Sequence, residues 1–519
     1  MTTNLKIAKA SLILISASIL GHLLSLFKEV LSAKYFGLTR GIDALYAALT
    51  IPNYIGSIVL LPFSILFIPL FIKYNVRDKE EANRVASTLI NGILVILFIA
   101  ASVVFIFSPP IIAVGFKGLD APTAHAAVNM LRIFSMTIVF AGITGMITCL
   151  LNAYEHFTWP AFSQMFITLA VIIFMALFAR SWGVYTIVFG TALGLAAQAV
   201  FLLLLAKKRG FRYYAAFNLD HPAVKEITGF AGFLTLITIL SGSNLIIGRV
   251  MASYLTSGSI AALAYADKII QVPLIIFAGS VNTAIYPYFA LQIATNKIDE
   301  LKDTLAASIK MGGLIFIPIA GILIIFARPI IRVLFQRGAF DLQATELTSA
   351  ILVCFALQLL SYYAMVIIMR LLFALREYGT IVKVLMVNIV VTIALNFLFM
   401  RFITPPVAGI ALSTSAGCFV STILFFVYLK KRMEYLHGVS MLVSLLKTTL
   451  LAVIASAVMR LIYGELNTAV AYSSLSQMSI IIGSIFAGLL LFVVLALLIR
   501  FAEMTRLINL VQNKILPRF

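Results

Sequence analysis

About fourteen stretches of mostly apolar residues, each near the 20 or so needed to cross a bilayer as a helix, leave this chain few folds to adopt. They fall near 9–33, 43–72, 85–108, 124–150, 158–179 and 183–206, then 226–253, 259–293, 304–326, 343–373, 379–400 and 406–429. A final pair lies near 440–463 and 476–500. Inside lipid every backbone N–H and C=O must be satisfied within the protein, so segments of this length predict an all-α integral membrane protein. Only 11% of the 519 residues are charged, against about 25% in a soluble domain, and no loop is long enough to form one. Several segments carry proline (Pro52, Pro62, Pro69, Pro273, Pro287, Pro318), which predicts bent or broken helices there.

The segments divide into six, six and two, and the first twelve repeat. Phe107-Ser108-Pro109-Pro110-Ile111-Ile112 returns 219 positions later as Phe326-Ala327-Arg328-Pro329-Ile330-Ile331. Lys28, Gly37 and Pro52 pair with Arg249, Gly258 and Pro273 at an offset of 221, as Leu150-Leu151-Asn152-Ala153 does with Leu371-Leu372-Phe373-Ala374. Ile68-Pro69-Leu70-Phe71 pairs with Tyr286-Pro287-Tyr288-Phe289 at 218. Such duplication marks many secondary transporters, whose substrate site lies between the copies. Six helices per copy return the chain to its starting side, so the repeats are parallel. This reading places an N-lobe over 1–210 with helices 1–6, and a C-lobe over 211–435 with helices 7–12. Residues 436–519 then hold helices 13–14 and a cytoplasmic tail.

The formal charge of +19 invites a nucleic-acid reading, but its distribution follows membrane topology. Lys6, Lys9, Lys73, Arg77, Lys79, Arg84, Lys207, Lys208, Arg209, Arg212, Lys430, Lys431, Arg432, Arg506, Lys514 and Arg518 fall on one side if both termini are cytoplasmic. Few basic residues fall on the other, chiefly Lys34, Arg40, Lys117, Arg180, Arg401, Arg328, Arg332 and Arg337. The basic balance therefore predicts membrane lipid as a partner and no nucleic acid. The first apolar run follows Lys6 and Lys9 but is too long for a signal-peptide core, and reads as an uncleaved helix. Cys149, Cys354 and Cys418 lie in apolar segments without metal or disulfide spacing, and read as free thiols.

Enzyme motifs are missing: no Walker-type glycine loop, no His-Glu-x-x-His, no Cys-x-x-Cys. No cofactor or metal is expected, and transport would draw on a gradient. The chemistry rests on ionisable residues inside apolar segments: His22, Lys28, Glu29, Asp43 and Arg132 in the first copy, Arg249, Asp267, Lys268 and Arg370 in the second, and Lys447 beyond. A charge at the bilayer centre costs about 2.5–3.5 kcal/mol on insertion scales, so such groups face a partner or a cavity. Cations converging from both copies would suit a phosphate. Neighbouring Lys28-Glu29 and Asp267-Lys268 point about 100° apart on a helix, which predicts a different partner for each member. Arg132, Arg370 and Lys447 read first as snorkelling residues, Asp43 equally as a cap of the second helix, and His22 as a packing residue. Asn388, Thr392 and Asn396 form a polar stripe at i, i+4, i+8, read as interhelical hydrogen bonding rather than a cation site.

Phe36-Gly37 with Asp43-Ala44 and Ile51-Pro52-Asn53 resembles the opening of the MurJ/MviN family of lipid II flippases. So do Leu151-Asn152-Ala153-Tyr154 with Phe157 and Pro160-Ala161-Phe162, Ser257-Gly258-Ser259 with Tyr265-Ala266-Asp267-Lys268 and Pro273, and Leu334-Phe335-Gln336-Arg337-Gly338-Ala339-Phe340. The resemblance implies the multidrug/oligosaccharidyl-lipid/polysaccharide exporter fold: two six-helix lobes around a central cavity, with two further helices forming a lipid-tail groove. It also implies a transporter in the bacterial inner membrane that flips a polyprenyl-pyrophosphate-linked saccharide, lipid II, to the outer leaflet. Lys28 and Lys268 would bind the pyrophosphate and Asp43 and Asp267 would organise those cations or gate the cavity, with His22, Asn53 and Arg249 secondary. The chain departs from the family pattern at four places. His22 stands at the first arginine of helix one, Lys28-Glu29 at an Arg-Asp pair, Gly56 at a basic position and Lys268 at an arginine. Flipping of another lipid-linked oligosaccharide stays open on that ground, and multidrug export, a glycosyltransferase or a non-transporting scaffold are the further rivals. A monomer working beside cell-wall synthesis proteins is expected.

Overall fold

A computed structural model describes residues 3–218, 220–469, 474–499, 501 and 503–505. Arg506, Lys514 and Arg518, expected on the cytoplasmic side, lie outside the described residues, as do the side chains of Lys6 and Lys9. All regular structure among the described residues is helical. The chain packs as two units, one of residues 1–264 with 337–340, the other of 265–336 with 341–519.

The first unit holds α1 (Thr3–Phe36), α2 (Arg40–Arg77), α3 (Lys79–Ile106), α4 (Ser108–Gly115), α5 (Ala121–Ala153), α6 (Thr158–Ser163), α7 (Met165–Trp182), α8 (Tyr185–Lys208) and α9 (Pro222–Ser253). It also takes the opening turns of α10 (Ser259–Pro273). Its core lies where α2, α3 and α5 meet: Phe63, Phe67 and Phe71 stack along α2 with centroids 4.7 and 5.5 Å apart, and Tyr154 meets Phe71 edge-on at 5.2 Å. The connection after α8 runs along α3, where Asn91 donates to the Ala216 carbonyl at 2.9 Å and accepts from the Tyr213 hydroxyl at 2.9 Å.

The second unit continues α10 into one π-helical turn (Leu274–Ala278), then α11 (Gly279–Ala294), α12 (Ile298–Ile325) and α13 (Ala327–Phe335). There follow α14 (Leu342–Ala356), α15 (Leu359–Ala374), α16 (Tyr378–Phe402), α17 (Pro406–Met433), α18 (Gly438–Ala469) and α19 (Ser474–Leu498). Leu314 of α12, Leu451 and Ala455 of α18, and Phe492 and Ala496 of α19 share a buried cluster that secures the last two helices.

Twelve helices among the described residues are long and apolar enough to cross a membrane, and the bent pair α14–α15 makes a thirteenth span. The remaining expected span is α1, a 34-residue helix whose described part carries His22, Lys28, Glu29 and Lys34. The chain is a multi-pass membrane protein. Of the helices expected to be bent or broken at proline, α2 is unbroken through Pro52, Pro62 and Pro69, α11 through Pro287 and α12 through Pro318. Only Pro273 leads into a change of helix type, the π turn that splits the expected 259–293 helix. The expected 343–373 helix breaks at Leu357–Gln358 and bends by 44°, with no proline involved. There α17 supplies donors: Ser415 to the Cys354 carbonyl at 2.8 Å and Thr422 to the Ser361 carbonyl at 2.9 Å.

The sequence repeat becomes a backbone repeat. Phe107 and Phe326 cap α4 and α13 with nearly equal torsions (φ/ψ −92/15 and −98/13). Prolines in the first turn of each short helix cost no hydrogen bond, because those N–H groups have no intrahelical acceptor. α5 and α15 both end in a Schellman turn with a left-handed residue, Glu155 (φ 61) and Arg376 (φ 60). His156 N–H reaches Leu151 O at 2.8 Å, and Glu377 N–H reaches Leu372 O at 2.9 Å. Gly37 (φ 56) and Gly258 (φ 92) are equivalent as well, each left-handed and each pressed against backbone. A Cβ at Gly37 would lie 2.2 Å from the Ala339 carbonyl oxygen, and one at Gly258 2.7 Å from that of Leu38.

Candidate functional site

The ionisable residues of the first unit gather along one face of α2. Asp43, Tyr46, Thr50 and Tyr54 recur at three- and four-residue spacing, which places them in a row down the helix. Each holds something from another helix.

Asp43, 3% exposed, caps α10. Its carboxylate accepts from Gly258 N–H at 2.5 Å and Ala261 N–H at 2.9 Å, where the helix dipole and free N–H groups favour an anion. This corrects the expected cap of the second helix, whose own N-cap is Thr39. Lower down, Arg249 of α9 donates to the Tyr46 carbonyl at 3.2 Å and to Thr50 Oγ1 at 2.9 Å. Its guanidinium also lies over the Tyr46 ring, 5.6 Å from the centroid. Tyr54 then donates to the Ile239 carbonyl of α9 at 2.7 Å.

Tyr46 joins this row to α1. Its hydroxyl donates to Glu29 Oε2 at 2.9 Å, and the other carboxylate oxygen, Oε1, pairs with Lys28 Nζ at 2.8 Å. Glu29 is 2% exposed, whereas the Lys28 side chain keeps 22%. The expectation that Lys28 and Glu29 serve different partners is therefore corrected. The 100° between them is bridged by the flexible lysine stem, because a carboxylate this deeply buried needs a nearby cation. Lys28, Glu29, Tyr46, Arg249 and Thr50 thus form one cluster, with Lys28 its exposed cation.

His22 is half-buried on α1, six residues before Lys28, and Asn53 is exposed on α2 beside Tyr54. In the second unit Asp267 accepts from Gln271 Nε2 at 3.3 Å, and Lys268 is half-buried with no ion pair to any described residue. Arg132 is exposed and donates to Ser108 Oγ at 3.1 Å, joining α5 to α4, and Lys447 is exposed on α18. In the polar stripe, Asn388 donates to Ser421 of α17 at 2.7 Å, an interhelical bond as expected, whereas the buried polar side-chain atoms of Thr392 and Asn396 have no hydrogen-bond partner among the described residues. No group of three or more His, Cys, Asp or Glu among the described residues could hold a metal ion, and all three cysteines are free thiols. Tyr46 and Thr50 escaped the sequence reading. The signal was the polar row at 43, 46, 50 and 54 in an otherwise apolar helix.

The cluster sets two cations against one buried carboxylate, and Lys268 adds a cation of its own in the second unit. Such groups suit a phosphate-bearing ligand inside a membrane better than a cationic drug. Comparison with known proteins agrees in kind. The family model described as "Lipid II flippase MurJ" matches residues 32–483. A relative, the "Probable lipid II flippase MurJ" of Rickettsia prowazekii (strain Madrid E), is 26% identical over 429 residues, covering 82% of this chain and 84% of that one. The fold is shared with a solved "Lipid II flippase MurJ, inward closed conformation" at TM-score 0.77 and 23% identity, over 93% of this chain and 99% of the other. It is shared more distantly with an inward-facing multidrug resistance MATE family transporter of the MOP superfamily, at TM-score 0.66 and 14% identity over 79% of this chain and 94% of that one. With 32–483 matched by the family model, the chain belongs to the lipid II flippase MurJ family, transporters and not enzymes.

Proposed function

We propose that this protein carries lipid II from the inner to the outer leaflet of the bacterial cytoplasmic membrane by alternating access. The observation that carries the reading is the partly exposed Lys28 ammonium on α1, paired with Glu29, whose other oxygen is held by the Tyr46 that Arg249 also contacts, in a chain of this family. Lys28 and Lys268 bind the pyrophosphate as compact cations, and Arg249 braces α2 against α9 while adding charge. Asp43, which holds the start of α10, and Asp267 organise those cations or gate the cavity. His22 and Asn53 contact the saccharide, and the polyprenyl tail stays in lipid. Both termini are cytoplasmic, the moving parts are the copies 1–210 and 211–435, and the protein acts as a monomer alongside cell-wall synthesis proteins.

The test is reconstitution into liposomes with fluorescent lipid II, alongside another polyprenyl-linked saccharide, following arrival in the outer leaflet. Lys28→Ala and Lys268→Ala should each abolish movement of lipid II while the protein still inserts. Wild-type flipping by both variants removes the site assignment. Movement of only the other lipid reassigns the substrate, with the lysines and His22 in place of arginines as the cause.

A further inference from the structure

Lys28 is the substrate's proposed cation, yet it is already held at 2.8 Å by a carboxylate of the same helix. Glu29 is buried, at 2% exposure, and its second oxygen is fixed by the Tyr46 hydroxyl. Tyr46 is in turn clamped by Arg249 through its carbonyl and ring face. The carboxylate therefore cannot drift away from Lys28 without breaking contacts on α2. An ammonium has three donors, and a partly exposed one can turn toward a ligand while Glu29 stays in place. A pyrophosphate oxygen reaching Lys28 would meet that fixed negative charge beside it and would have to share the cation.

We infer that Glu29 is a built-in competitor for Lys28, positioned by Tyr46, which weakens pyrophosphate binding so that the lipid is released after crossing. A site that must fill and empty each cycle needs binding strong enough to load and weak enough to leave. Cations left free at full strength would retain a pyrophosphate headgroup; one internal carboxylate re-pairs the lysine as the substrate departs. This rests on the reading of Lys28 as a pyrophosphate ligand. It adds a positioning and release role for Glu29, which makes no contact with the substrate itself.

The experiment is steady-state flipping by the full-length protein in liposomes, with the mole fraction of lipid II varied to separate KM from kcat. Glu29→Gln keeps the shape and an oxygen for the Tyr46 hydroxyl but removes the charge. It should lower KM about tenfold, the equivalent of about 1.4 kcal/mol, and lower kcat as release slows. Glu29→Asp, which keeps the charge but draws it back by one methylene, should shift both in the same direction by less. In a Lys28→Met background, where flipping is already lost, Glu29→Gln should not restore it, and restored flipping there would overturn the competitor. An unchanged or raised KM in Glu29→Gln, with Lys28→Ala still defective in the same assay, overturns the competitor alone. Wild-type KM in Lys28→Ala overturns the pyrophosphate site and the competitor together. Should Glu29→Gln fail to insert, the sign of the KM shift in Glu29→Asp decides in its place: a lower KM supports the competitor, and an unchanged or higher one overturns it.

Discussion

Replacing Asp43 by Ala tests a long-range contact in the first unit. The carboxylate, 3% exposed, satisfies Gly258 N–H and Ala261 N–H on α10, 215 and 218 positions away. Alanine leaves two N–H groups of a helix start without that acceptor. An unsatisfied buried donor costs about 1–3 kcal/mol and a lost Asp cap about 1 kcal/mol, and these overlap because they describe the same bonds. A net local loss of about 1–3 kcal/mol follows. At 1.4 kcal/mol per tenfold, amides over 258–264 should exchange hydrogen about 5-fold to about 150-fold faster. Asn keeps one accepting oxygen and should give about half that free energy. The assay is hydrogen exchange on protein in nanodiscs, with peptides over 142–153 of α5 as the internal reference. Unchanged protection over 258–264 in Asp43→Ala would refute the cap, and equal acceleration in α5 would show general loosening instead.

Two other perturbations follow from the packing. Gly37→Ala must place a Cβ 2.2 Å from the Ala339 oxygen at a left-handed φ, and should cost at least about 2–3 kcal/mol, read as a lower Tm in detergent. Gly92→Ala, with nothing within 4 Å of its added carbon inside α3, should leave Tm unchanged or slightly raised; equal losses from both would undo the close-approach argument. Lys310 pairs with Glu503 at 3.6 Å and donates to Ser440 Oγ at 2.8 Å, with both charged side chains mostly buried. Glu503→Ala should destabilise the α12–α18–α19 cluster by about 1–3 kcal/mol, a loss measured by urea or heat and little altered by salt because the pair is mostly buried. A salt-dependent loss, or none, would place the pair in open solvent.

What the sequence alone determined is what a membrane and a local backbone enforce. Lipid allows an apolar run of twenty residues one economical form, so the order of the spans and their approximate positions were legible. The duplication was legible too, down to Phe107 and Phe326 and the ends of α5 and α15, because residues that set their own caps act on neighbours a few positions away. The tertiary structure decided the partners. Nothing near Asp43 announces a helix start 215 positions on, and helical geometry alone would have parted Lys28 from Glu29. Helix breaks depended on partners too: five prolines lie within continuous helices, while Leu357–Gln358, with no local breaker, bent beside hydroxyls that α17 donates to the Cys354 and Ser361 carbonyls. A charge or a carbonyl in a membrane protein takes its role from whichever distant group can satisfy it, and only the folded chain brings that group within reach.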